Sequence, residues 1–122
     1  MSLRVKKSVL LTPYVLFLLI FIGSAYGESM LMIGRGGATC SYFLQESSSN
    51  PTWEFVYYSW AEGYLSAINV RNTASNTEIN LSVSSLQESQ QIDFLKDYCK
   101  NNPDKYFVFA VMNLYDELRL RQ

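Results

Sequence analysis

The sequence predicts an all-α fold: a small four-helix domain closed by one disulfide, after a cleaved signal peptide. Three observations carry this expectation. Apolar residues recur at spacings of three and four in four separate stretches after position 38, the period of helices with one buried face. Two Asn-Pro pairs, at 50–51 and 102–103, sit where such stretches begin, with Asn able to cap and Pro suited to the first helical position. The segment after residue 27 holds two cysteines, Cys40 and Cys99, and an exported chain meets oxidising conditions in which such a pair closes. If the pair is intramolecular, only one pairing exists. The loop it closes is long enough to stabilise the fold by on the order of 4 kcal/mol. A CxxC redox arrangement is absent.

The N-terminus reads as a targeting segment. Arg4, Lys6 and Lys7 open it, the apolar run Val9 to Ile22 follows, and Gly23, Ser24, Ala25 and Gly27 close it with small residues, the order of a secretory signal. Glu28 is the expected mature N-terminus, with a cut after Ala25 as the alternative. A retained membrane anchor is the competing reading, and the run is shorter than the ~20 apolar residues a spanning helix needs. The expected organisation is therefore a signal peptide over 1–27, a flexible lead-in over 28–38 and a helical domain over 39–122. Localisation follows as periplasmic or secreted, with no membrane association after cleavage.

Loss of Arg4, Lys6 and Lys7 leaves seven basic residues against 11 acidic ones, a net charge near −4. Such a balance is poor for nucleic acid, whose phosphates need clustered Lys and Arg. The chain contains no histidine, which removes Ser-His-Asp catalysis and imidazole metal ligation. No cofactor or metal is expected. GRGG at 34–37 lacks the Lys-Ser/Thr pair and the preceding strand of a phosphate loop.

In chain order, Thr39 is expected to cap a first helix in which Cys40, Phe43 and Leu44 share a face. Asn50-Pro51 starts the second and longest helix, along which Trp53, Val56, Tyr57, Trp60, Ala61, Tyr64, Leu65 and Ile68 form an apolar stripe. Val70 to Ser85 loses the period and reads as a long connection. Within it, 78–83 alternates like a strand without a partner, and Asn80-Leu81-Ser82 matches a glycosylation pattern by coincidence. Ser84 or Ser85, with Gln87 or Glu88 three residues on, offers a capping box for a third helix carrying Ile92, Leu95, Tyr98 and Cys99. Asn102-Pro103 ends that helix and starts a fourth, whose stripe is Tyr106, Phe107, Ala110, Val111, Leu114 and Leu118. Asp104 near its start and Arg119 near its end suit the helix dipole.

The candidate functional residues lie on the second helix. Gly63 interrupts it at a cost of about 1 kcal/mol, which the close approach of another helix or a neighbouring ring would explain; a groove for a partner is the alternative. Phe55 and Tyr58 lie off the main stripe. They fill a second core face or form an exposed surface for a partner or a second copy. Trp60, Tyr64 and Asn69 complete the candidate packing or partner surface. Glu54, Glu62, Asp116 and Glu117 are the carboxylates available for acid and base work, and their spacing puts them on solvated helix faces instead of across a cleft.

The motifs TCSYFL, GYLSAIN and FLKDYCKNNPDKYFVFAV together resemble small secreted proteins of the HdeA-like group. That group includes the HdeA and HdeB acid-stress chaperones and the Tai/Rap-type immunity proteins that neutralise cell-wall amidase effectors. The resemblance implies an all-helical periplasmic fold, a Cys40–Cys99 disulfide, no cofactor, and work done by protein contact. The expected function is non-enzymatic protein binding, foremost the immunity-like inhibition of a toxin-like effector. The alternative is an acid-stress chaperone for unfolded clients. Protonation of the carboxylates would take the chain from about −4 towards +7, enough self-repulsion to open a dimer.

Overall fold

A computed structural model describes residues 32–83 and 85–122. The expected signal peptide and its cleavage position lie outside the described residues. Four helices build the domain: α1 (Cys40–Ser49), α2 (Thr52–Asn72), α3 (Glu88–Asn101) and α4 (Phe107–Leu120). One disulfide, Cys40–Cys99, joins α1 to the end of α3 across a Cα–Cα distance of 4.7 Å. The described residues contain no strand. α1 and α4 each pack on both α2 and α3, so the core lies enclosed among the four.

Local chemistry sets most helix ends. The Thr39 hydroxyl accepts from the Tyr42 amide at 3.3 Å, the expected cap of α1. Asn50 Oδ1 accepts from the Thr52 amide at 3.0 Å and Pro51 follows it in helical geometry, so the Asn-Pro start of α2 is as expected.

The later starts differ. α3 begins at Glu88, four residues beyond Ser84 and three beyond Ser85, because Val83 and Leu86 are buried and closed into a turn by the Leu86 amide donating to the Val83 carbonyl at 3.1 Å. Gln90 Oε1 then accepts from the Gln87 amide at 2.8 Å. α4 begins at Phe107 instead of directly after Pro103. The intervening carbonyls are committed elsewhere: Pro103 and Lys105 accept from the amides of Ser41 and Cys40 at 2.9 and 2.7 Å. These are donors that the first turn of a helix leaves without partners. The Phe107 amide in turn donates to the Ala38 carbonyl at 2.8 Å. Asp104 thus lies outside α4, whose first turn has no acidic residue.

Residues 78–83, which alternate like a strand, are held as an irregular segment by side chains instead of a neighbouring strand. The core centres on three rings, Phe43, Tyr57 and Phe107, with centroids 4.7 to 4.9 Å apart, in the tilted and edge-on geometry that aromatic quadrupoles favour. Ala61, Leu65, Leu95, Val111, Leu114 and Leu118 continue it. The buried face of α2 is turned relative to the expected stripe: Tyr58 is inside, whereas Val56 is 38% exposed.

Residues 32–38, expected as a flexible lead-in, include a 3-10 turn over Gly34–Gly37 wedged against Trp60. Gly34 has a φ of +74°, open to glycine at little cost. At Gly36 a Cβ would overlap the Trp60 ring.

Candidate functional site

Two surfaces of α2 stand out once the buried residues are set aside. The first is the face shared by α2 and the start of α3. Its floor is Tyr58, whose hydroxyl donates to Gln91 Oε1 at 3.0 Å while Gln91 Nε2 donates to the Leu86 carbonyl at 3.0 Å. Burial, then the negative charges of Glu62 and Glu88, pushes the Tyr58 phenol up to about 12. A depression of about 520 Å³ opens above this floor and is walled by Glu62, Leu81, Val83 and Glu88. A second depression of about 440 Å³ adjoins it at Gln87 and Glu88 and is walled by Phe55, Ile92 and Asp93. Phe55 projects there with 57% of its surface exposed.

Electrostatics give this face a sign. Lys96 Nζ lies 2.6 Å from Glu54 Oε1 and clamps α3 to α2. Among the described residues, Glu62, Glu88 and Asp93 take part in no ion pair. Glu88 has a reason within its helix, since it meets the positive end of α3 in the first turn. Glu62 and Asp93 have none, and they leave the face acidic.

The second surface is the solvent-facing ridge of α2. Gly63 is exposed, and a Cβ placed on it would meet none of the described residues within 4 Å. Among the described residues, nothing makes the close approach expected at Gly63. The groove beside it is lined by Met32, Ile33, Ser59, Trp60 and Tyr64, and the Trp60 and Tyr64 rings stack at 5.4 Å. Ile33 is 80% and Val70 70% exposed.

The remaining expected residues serve the architecture. Asn69 lies half-buried: its Nδ2 donates to the Ile79 carbonyl at 2.9 Å and its Oδ1 accepts from the Ile79 amide at 2.8 Å. It thus pairs with the connection as a neighbouring strand would. Tyr58 is core, and Cys40 and Cys99 are fully buried.

Sequence reasoning missed one cluster. Glu46 Oε2 accepts from Arg35 at 2.9 Å and from the Tyr57 hydroxyl at 2.7 Å, and the Arg35 guanidinium lies 4.2 Å from the Trp53 ring centroid, a cation–π contact. Burial and the Glu46 carboxylate drive the Tyr57 phenol further up than that of Tyr58. No local signal links positions 35, 46 and 57; the packed turn over Gly34–Gly37 brings them together.

Compared with family models, curated protein sequences and solved structures, the chain matches none. The likeness to the HdeA-like group rests on the sequence motifs alone.

Proposed function

We propose that this protein is a non-enzymatic periplasmic binding module that inhibits a partner protein by occlusion, as an immunity protein does, and that the partner docks on the α2–α3 face around Phe55. The observation that carries the reading is the exposure of Phe55, 57%, at the edge of paired depressions bordered by the unpaired acids Glu62, Glu88 and Asp93. An exposed aromatic beside concave, well-packed surface is the type of anchor that dominates protein interfaces. The acids select a partner with a basic surface and speed its arrival. The Glu54–Lys96 and Tyr58–Gln91 contacts hold α2 and α3 in place beforehand, so little ordering is lost on binding.

Affinity capture from periplasm tests this. The wild-type protein should retain one dominant, basic-surfaced partner at pH 7. Phe55→Ala should weaken its retention at least tenfold, and Asp93→Lys with Glu62→Lys should slow its association, with the fold unchanged in each. Undiminished capture by Phe55→Ala would remove this face from the mechanism. Absence of a dominant partner at pH 7, with protection of an aggregation-prone client at pH 2, would replace this reading with the acid-stress chaperone.

A further inference from the structure

We propose that Asn80 is an N-glycosylation site, the acceptor of an oligosaccharide transferred from a polyprenyl diphosphate carrier by a periplasmic oligosaccharyltransferase. This rests on the export that the proposed function assumes. As a bare three-residue pattern, Asn80-Leu81-Ser82 reads as coincidence, since an asparagine followed two places on by a hydroxyl is common. Its setting says more.

The pattern is longer than three residues. Periplasmic oligosaccharyltransferases also require an acidic residue two positions before the asparagine, and Glu78 stands there. Acidic residues are 11 of 122, so chance rarely fills that position. Asn50-Pro51-Thr52 also sets a hydroxyl two places after an asparagine. It fails twice, through proline at the middle position and through Ser48 in place of an acid, and its Oδ1 is occupied in starting α2.

The fold then exposes the pattern. Glu78, Asn80 and Ser82 are exposed, whereas Ile79 and Leu81 are half-buried and Val83 is buried. The alternation along 78–83 thus has a cause: Ile79, Leu81 and Val83 anchor the connection on the core, and the three residues a transferase must read face outward. The segment belongs to no helix or strand, so no regular element has to be undone to reach them. Asn80 Oδ1 accepts from the Ser82 amide at 2.9 Å, a turn that brings the hydroxyl-bearing residue back towards the asparagine. The Asn80 amide donates to Gln122 Oε1 at 2.8 Å and the Asn80 carbonyl accepts from Gln122 Nε2 at 3.2 Å. None of these bonds uses Asn80 Nδ2, the atom that must react. The two bonds to Gln122 are exposed, so local release of the segment into a transferase costs little.

The chemistry is one substitution. Nδ2 attacks the anomeric carbon of the lipid-linked sugar, and the N–C bond forms as the C–O bond to the diphosphate breaks. The polyprenyl diphosphate leaves with that electron pair, and one Nδ2 proton passes to a base of the transferase. Leu81 and Ser82 line the depression above Tyr58, so the glycan stands at its rim and narrows access to the partner face from that side.

The test incubates the purified, disulfide-closed protein with a detergent-solubilised periplasmic oligosaccharyltransferase and a polyprenyl diphosphate oligosaccharide, and reads the intact mass. The expected result is a gain of one glycan, mapped to Asn80. The gain should vanish in Asn80→Gln and in Ser82→Ala and be at least tenfold slower in Glu78→Gln, with the circular dichroism of each variant unchanged. No gain in the wild type, a gain that persists in Asn80→Gln, or an equal rate in Glu78→Gln would overturn the proposal. Recovery of the chain from the cytoplasm of its own cells would instead overturn the export reading, and the proposal with it.

Discussion

At the scale of single residues, contacts at two positions make sharp predictions. Gly36 lies so close to Trp60 that a methyl group there must displace the indole ring. Overpacking of this kind costs about 1–3 kcal/mol. Gly36→Ala should therefore lower the urea midpoint and shift tryptophan emission to the red as Trp60 gains solvent. Tyr58 predicts a pH dependence. Its phenol is raised from 10.0 to about 12, so the fold favours the neutral form. That contribution is complete below pH 10 and is lost as pH rises from 10 through 12. Stability measured by denaturant across this range should fall with pH, and Tyr58→Phe should flatten part of the fall. At neutral pH the same substitution removes the bond to Gln91, a loss of about 1 kcal/mol. Of these residues the sequence made only part of Tyr58 legible: its place off the main stripe was readable, but its partner Gln91 lies 33 positions away and no local pattern connects them.

At the scale of elements, the ends that depend on near neighbours were legible and the ends that depend on distant ones were not. The cap at Thr39 and the Asn-Pro start of α2 involve atoms two or three residues apart. The start of α4 is governed by carbonyls serving α1, more than 60 residues earlier in the chain, and so escaped the same Asn-Pro reasoning. The face that α2 buries was legible only to within a partial turn. Periodicity fixes the spacing of a stripe, whereas its rotation depends on the surfaces it packs against, which include Gln91 beside Tyr58. The interior of α2 also yields a prediction. Since a Cβ at Gly63 meets no neighbour among the described residues, Gly63→Ala should raise stability by about 1 kcal/mol, measured by denaturant unfolding. A loss of stability would mean that the position is crowded within one chain.

At the scale of the whole molecule, the helix count and the closing bridge were readable because both follow from periodicity and from there being two cysteines. The candidate surfaces were not, since exposure is a property of the packed assembly: Phe55 and Tyr58 differ by three positions, yet one is 57% and the other 6% exposed. The bridge joins residues 59 apart, and losing it frees the unfolded chain by about 2–5 kcal/mol. Cys99→Ser should lower the thermal midpoint by about 10 °C or more, read by circular dichroism. An unchanged midpoint would mean that the bridge contributes nothing to the fold.

The clasp between the start of α1 and the loop before α4 also bears on how the chain is made. Synthesis delivers the amides of Cys40 and Ser41 first, and the carbonyls of Pro103 and Lys105 that receive them follow roughly 60 residues later. At elongation rates of about 5–20 residues per second that is a delay of roughly 3–12 s, far longer than a helix takes to form. Until then the first turn of α1 has no acceptors from the rest of the chain. The Cys40 thiol stays within reach of whatever handles nascent protein throughout that interval.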